Sequence, residues 1–354
     1  MNAAIIGLPQ SGKSAVFAAI TGKVPDHHAS PEPHRAVSHI PEPRLKYLAD
    51  LVRPKKVTEE TIEFVDVPGC SLDAPKGQEE WRHVLPTVRL AQVLVVVVRA
   101  FDNPAVPPYR GRIDPAADFA EMWDELIFAD LETVTNRIDK VEKALKKPSK
   151  THDAEKHELA LLTRCREALE SNAPLSTVIT TDEERKLFSS FAFLTELPIV
   201  CVLNVSDDKV TTTPPLVLPH VAASMVLSAE IEAELNALEP EERTAFLEDL
   251  GLPEPARARL IHTCHQAGGM ITFFTMNAEE ARAWSLPRGH TALEAAAKVH
   301  TDLARGFIRA ETISYDELVA HTDMKGAKAA GKVRKEGKTY VVRDGDILQI
   351  LSSS

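Results

Sequence analysis

The segment GLPQSGKS at residues 7–14 follows the apolar run AAII and precedes AVFAAIT, so a glycine-rich turn is bracketed by a strand pattern and a helix pattern. It matches GxxxxGKS and commits this part of the chain to an α/β layout, in which a strand delivers a phosphate-binding loop to a helix N-terminus. Gly7 and Gly12 let the backbone wrap closely, so that N–H groups of the loop turn inward toward phosphate oxygens. The candidate nucleotide-binding segment is therefore Gly7, Leu8, Pro9, Gln10, Ser11, Gly12, Lys13, Ser14 and Ala15. Lys13 is expected to reach the β- and γ-phosphates and to act in catalysis, and the Ser14 hydroxyl to ligate Mg²⁺.

TIEFVDVPG at residues 61–69 supplies the second half of such a site. A carboxylate at the strand end, Asp66, is placed to hold Mg²⁺ through water, and the Gly69 N–H to sense a γ-phosphate. DxxG alone is a weak signal, but at this distance from a P-loop it is a strong one. Where GTPases set a water-orienting glutamine after DxxG, this chain has Cys70, which reads as a small apolar filler.

At 354 residues, two or three domains are expected. A net charge of −11 and an aromatic content of 5% argue against general DNA affinity and against a stacking surface for single strands. Cys70, Cys165, Cys201 and Cys264 form no CxxC pair, so neither a disulfide framework nor a zinc site is expected. VLVVVV at residues 93–98 is too short to span a bilayer and reads as a buried parallel strand. With no signal-peptide pattern, a cytoplasmic protein without membrane contact is expected.

Core strands are expected at residues 3–6, 61–65, 93–98 and 199–203, alternating with helices as in a parallel sheet. From Ile127, apolar residues recur at Leu131, Val134, Ile138, Val141 and Leu145, a heptad stripe on one helix face. KKPSKTHD at residues 146–153 breaks it, and a second helix runs through Leu161, Cys165 and Leu169. This predicts an inserted antiparallel helical hairpin, its stripe packed within the hairpin. After Gly251 come a helix over residues 254–266, a break at Gly268 and Gly269, and the strand MITFFT. The chain closes on KTYVVRDGDILQIL, read as two strands around a turn at residues 344–346.

These segments, in order, resemble the YchF/Obg-like ATPase family of P-loop proteins. The resemblance is carried by GLPQSGKSAVFAAIT, PEPRLKYLADLVRP, EFVDVPG, DELIFADLETV, FLTELPIVCVLNVSDD, LSAEIEAEL, ARAWSLPRG, KVHTDLARGFIRAE and GKTYVVRDGDIL, and it runs end to end. It implies an α/β P-loop NTPase G-domain at residues 1–115 and 196–267. A helical coiled-coil insertion at 116–195 and a C-terminal α+β β-grasp (TGS) domain at 268–354 complete the chain. It further implies slow Mg²⁺-dependent hydrolysis, a preference for ATP over GTP, and association with ribosomes, at the large subunit, or with RNA through the helical and TGS domains. Ser228 and Ala229 join the nucleotide-binding set on this ground, and Ser30 is aligned with the Mg²⁺-contacting hydroxyl of the first switch.

Two departures from the family pattern bear on turnover. The glycine-rich switch KGEGLGN is replaced by KGQEEWRH at residues 76–83, a loop expected to be less flexible and to carry Trp81. Pro108 stands where the family has a histidine proposed as a catalytic group. Turnover weaker than the family's is expected, unless His27, His28 or His83 moves in.

The base-reading segment is NVSD, with Asn204, Val205 and Asp207. GTPases use NKxD, whose aspartate accepts from both guanine N1–H and the exocyclic amine, whereas adenine fits a carboxylate less well. The family has NxxE and no lysine, which favours ATP. Asp207 alone points to GTP, or merely caps the following turn. ATP is the favoured reading.

Between residues 321 and 343, seven Lys or Arg residues face two acids. Lys325, Lys328, Lys332, Arg334, Lys335 and Lys338 are the candidate RNA or ribosome contacts, against the plainer reading of a solvated face. Two functions follow: a slow NTPase, or a nucleotide-gated ribosome-binding or RNA-binding switch with negligible turnover.

Overall fold

The computed structural model describes residues 1–24, 32–147 and 152–353. In chain order the first part contributes β1 (Asn2–Ile6), α1 (Lys13–Thr21), β2 (His34–His39), α2 (Pro43–Val52), β3 (Lys56–Thr58), β4 (Thr61–Asp66), α3 (Pro75–Val88) and β5 (Val93–Ala100). There follow α4 (Pro115–Leu145), α5 (His152–Glu170), α6 (Asp182–Phe188), β6 (Ile199–Val205), β7 (Ala223–Leu227), α7 (Ala229–Ala237), α8 (Pro240–Asp249) and α9 (Ala256–Ala267). The last part holds β8 (Met270–Met276), β9 (Glu280–Pro287), α10 (Ala292–Val299), α11 (Thr301–Arg305), β10 (Phe307–Ser314), α12 (Tyr315–Ala320), α13 (Met324–Ala329), β11 (Arg334–Glu336) and β12 (Asp346–Ser352). No helix among the described residues is long and apolar enough to cross a membrane.

One compact unit comprises Asn2–Ala36 and Glu63–Leu260. Its sheet runs β2-β4-β1-β5-β6-β7, with β1, β4, β5, β6 and β7 parallel. β5 and β6 are buried along nearly their whole length, as continuous Val, Ile and Leu runs require when both sheet faces are covered. Ile5 lies beside Asp66, and Arg99 beside Asn204, so the C-terminal ends of four strands share one sheet edge. That edge is where open α/β sheets place ligands.

The helical stripe packs as expected. Ile127, Val134, Ile138 and Val141 of α4 are buried with Leu161, Leu162, Cys165 and Leu169 of α5, in the same apolar cluster as the sheet residues Val96 and Leu203. α4 starts sharply, with Pro115 in its first turn and Asp114 accepting the Ala117 N–H at 3.1 Å. The segment KGQEEWRH, expected as a loop, is instead part of α3. Pro75 opens that helix, and Trp81, Val84 and Val88 fall on one buried face at helical spacing.

The other unit comprises Met1, Val37–Ile62 and Ile261–Ser354. Its sheet runs β11-β10-β12-β8-β9-β3, antiparallel at β8–β9, β10–β12 and β10–β11, and parallel at β12–β8 and β3–β9. Alternation along β8 sends Phe273 to a core under α10, with Trp284 and Ala295, and Phe274 to a second core with Leu45 and Leu48 of α2. The family resemblance implies that residues 37–62 belong to the P-loop domain, whereas they cluster with this unit, because α2 covers an apolar sheet face and β3 extends the sheet.

The closing segment also differs from its reading as two strands. β12 is a strand, but residues 338–343 carry only an isolated bridge, Thr291 to Val341. Their backbone bonds go elsewhere: the Ala292 N–H donates to the Tyr340 carbonyl at 2.8 Å and the Val342 N–H to the His290 carbonyl at 3.0 Å. Burial of Val342 in the α10 core holds the segment there.

Candidate functional site

The loop from β1 to α1 depends on two glycines. Gly7 has φ +150°, and a Cβ there would lie 2.4 Å from the Val97 carbonyl oxygen; Gly12 has φ +89°, and a Cβ there would lie 2.2 Å from Asn204 Nδ2. No other residue fits either position. Gln10 takes a left-handed conformation with φ +61° and stands exposed, while Leu8 and Ser11 are buried.

Lys13 is buried, and its ammonium donates to the Leu8 carbonyl at 2.8 Å. Burial lowers its pKa to about 8, against the pull of the nearby Asp66 and Cys70. The Ser14 hydroxyl donates to Asp66 Oδ2 at 2.6 Å, bringing the two expected metal-contacting side chains together. Gly69 passes so close that an added Cβ would stand 2.7 Å from Lys13 Nζ and 3.1 Å from Pro9 Cα. Four of the expected phosphate and metal residues therefore meet at one sheet edge. Ser30 lies outside the described residues, as do His27 and His28.

Cys70 is buried and directs Sγ to the Pro68 carbonyl at 3.6 Å. Burial pushes its thiol up to about 11, so it stays protonated at neutral pH, in keeping with an inert filler. His83 is exposed on α3. Pro108 precedes a short 3₁₀ turn, where the Tyr109 hydroxyl donates to Asp73 Oδ1 at 3.0 Å.

A cavity of about 410 Å³ opens beside the loop, lined by Gln10, Gly12 and Ala15, by residues of the 101–106 segment, and by Asn204, Val205, Ser206, Ser228 and Ala229. Asn204 is buried between two elements: its amide donates to the Ser11 carbonyl at 3.3 Å and accepts the Ala229 N–H at 3.1 Å. Ser228 caps α7 by accepting the Ile231 N–H at 3.2 Å, and its hydroxyl donates to Asp207 Oδ1. One oxygen of the Asp207 carboxylate thus accepts from Ser228, and the 3₁₀ turn at Asp207–Lys209 has no side-chain cap. The cavity wall near it is built from Val205, Ser206 and Ser228.

Phe101, Asp102, Asn103, Val106, Glu230 and Ala233 complete the cavity wall, and sequence reasoning did not select them. The available signal was RAFDNP, an arginine near the end of an otherwise apolar strand with an aromatic just after it.

The basic strip divides. Lys328 pairs with Glu311 at 3.1 Å, Lys332 with Glu317 at 3.8 Å, and Arg334 with Asp346 at 3.6 Å. Lys325, Lys335 and Lys338 are exposed and make no ion pair among the described residues.

This layout can hold a polyphosphate on the loop with a planar group in the adjoining cavity, and known proteins share it. Residues 2–128 match a family described as "50S ribosome-binding GTPase", and residues 270–352 match the YchF GTPase C-terminal family, described as a protein of unknown function. The chain is 39% identical over 361 residues to the ribosome-binding ATPase YchF of Bacillus subtilis, covering 98% of each chain. It is 37% identical over 357 residues to the protein of the same name from Escherichia coli O157:H7, again covering 98% of each. The Schizosaccharomyces pombe YchF GTPase structure superposes with a TM-score of 0.85 at 26% identity, over 99% of this chain and 97% of that one. With near-complete coverage at this identity, the chain belongs to the YchF family of Obg-like P-loop proteins.

Proposed function

We propose that the protein is a Mg²⁺-dependent P-loop nucleoside triphosphatase that hydrolyses ATP slowly and works as a ribosome-binding, translation-associated switch. The observation that carries this is the meeting of Lys13, Ser14, Asp66 and Gly69 beside a cavity of base-accommodating size. In this reading the loop N–H groups and Lys13 hold the β- and γ-phosphates, and Gly69 reports the γ-phosphate to the segment leading into α3. The Ser14 hydroxyl and Asp66 carboxylate are hard oxygen donors that suit Mg²⁺, an ion that keeps waters and phosphate oxygens as its other ligands. When bound, Mg²⁺ would neutralise charge developing on the phosphates.

Slow turnover is supported by Cys70 after DxxG and by Pro108, neither of which has the carboxamide or imidazole with which a side chain orients an attacking water. Relatives named ribosome-binding ATPases support the activity and the partner.

ATP is favoured over GTP because Val205 stands where NKxD has its lysine and because Asp207, with Oδ1 accepting the Ser228 hydroxyl, is not among the residues that line the cavity. Titration calorimetry with non-hydrolysable analogues should show ATP binding at least about tenfold tighter than GTP, about 1.4 kcal/mol. Asp207→Asn should leave ATP affinity within a few-fold. Preference for GTP in the parent, converted to xanthosine triphosphate in Asp207→Asn, would establish guanine reading instead.

Ribosome contact is proposed through the unpaired lysines of the C-terminal unit. Reversing Lys325, Lys335 and Lys338 to glutamate should weaken co-sedimentation with ribosomes at least tenfold at low salt. Reversing Lys328 and Lys332, whose charges are already matched, should do less. Equal loss from both sets, or none, would remove the strip from the contact surface.

A further inference from the structure

Arg99, one residue from the end of β5, is a buried guanidinium in an otherwise apolar strand. Burying such a group requires hydrogen-bond partners, and here three of its five N–H donors go to backbone carbonyls. Nε donates to Phe101 at 3.1 Å, one terminal nitrogen to Gln10 at 3.2 Å and the other to Val106 at 2.7 Å. The guanidinium carbon also lies 4.3 Å from the centre of the Phe101 ring. Gln10, Phe101 and Val106 all line the cavity beside the phosphate loop.

The cross-strand neighbour of Arg99 on β6 is Asn204, whose amide takes the next loop carbonyl, that of Ser11. One rung of the sheet therefore grips two consecutive carbonyls of the phosphate loop from behind. The Asn204 side ties the loop to α7, and the Arg99 side ties it to the 101–106 segment. Every hydrogen bond that Arg99 makes among the described residues goes to a backbone carbonyl of the cavity wall or the phosphate loop, which is the pattern of a residue that holds backbone in place.

We infer that Arg99 is a positioning residue that builds the base-side wall of the nucleotide cavity, setting how strongly the nucleoside part of a triphosphate contributes to binding. This rests on the nucleotide reading above. Two of its three hydrogen bonds and its ring contact go to the 101–106 wall, and one goes to the phosphate loop. Loss of Arg99 should therefore weaken nucleoside recognition more than polyphosphate recognition.

The test compares Mg²⁺-ATP with inorganic tripolyphosphate in the full-length protein, by calorimetric Kd, alongside thermal melting. In Arg99→Met, which keeps the stem and removes every donor, Kd for ATP should rise at least tenfold while Kd for tripolyphosphate changes less than about threefold. Arg99→Lys keeps a cation that cannot bridge three carbonyls, and should fall between the parent and Arg99→Met. If Arg99→Met does not fold, the same ratio is read on Arg99→Lys. A lower melting temperature with the two Kd values moving together, or with neither moving, would reduce Arg99 to a structural role and overturn the inference. Equal affinity of the parent protein for ATP and tripolyphosphate would overturn the nucleotide reading itself, before any variant is compared.

Discussion

Lys13→Met should lower ATP turnover by on the order of 10²–10³-fold while the protein stays folded. The lysine is the charged donor nearest the expected γ-phosphate, and no other side chain at Ser14, Asp66 or Gly69 supplies positive charge. Its burial carries a stability cost that runs the opposite way. The folded pKa of about 8 lies below the unfolded value near 10.4, so between these limits the unfolded chain binds more protons and stability rises with pH. At neutral pH the buried charge costs roughly 3 kcal/mol, partly offset by its bond to the Leu8 carbonyl. Removing both together should leave the melting temperature little changed. Unaltered turnover in Lys13→Met would dismiss the assigned role.

The same shift makes binding depend on pH. A bound triphosphate favours the protonated lysine, so above pH 8 binding takes up a proton. ATP affinity should therefore fall as pH rises from 8 to 10, by as much as tenfold per unit. Calorimetry at pH 9 in buffers of different ionisation enthalpy should detect that proton in the parent protein and not in Lys13→Met. A flat affinity over this range would show that Lys13 does not titrate there.

Asp130→Ala should destabilise the fold by about 3–5 kcal/mol, with a drop of about 10 °C in the melting midpoint. The Asp130 side chain is fully buried on α4, where its carboxylate accepts the N–H groups of Leu194 and Thr195 at 3.1 and 2.8 Å and the Thr195 hydroxyl at 2.9 Å. Arg89, just past the end of α3, donates to it at 3.0 Å and also reaches the carbonyls of Ala129 and Ala192. Alanine would leave two buried N–H groups and a largely buried guanidinium without their anion. Arg89→Met added to Asp130→Ala should recover part of the loss, because the stranded charge is removed with its partner. Strict additivity of the two changes would mean that the pair is not coupled. This junction joins the helix after DxxG to the inserted helices, so its loss should be visible in the unfolding of the whole sheet-and-hairpin unit.

What was legible in the sequence was contiguous. GLPQSGKS and VDVPG set backbone geometry within a few residues, and the runs at β1, β4, β5 and β6 announce buried parallel strands by their β-branched content. The stripe from Ile127 to Leu145 declares a helix face by spacing alone. Misreadings arose where local pattern competed with packing. KGQEEWRH looks polar enough for a loop, yet Trp81 shares a helix face with Val84 and Val88. KTYVVR alternates like a strand, yet its N–H and carbonyl groups are spent on the start of α10. Residues 37–62 carry no mark of their destination, because β3 finds its partner more than two hundred residues away in β9.

By itself, then, the sequence determined the phosphate loop, the four core strands, the helical hairpin and the likeness to a family, because each depends on residue types at short, fixed separations. Which side chains finish the site was decided only in three dimensions. Asn204 and Arg99 reach the carbonyls of Ser11 and Gln10 because β5 and β6 stand in one register, and Asp207 is drawn to Ser228 because β7 lies beside β6. Hydrogen-bond partners across a sheet are set by strand order and register. No spacing along the chain encodes them.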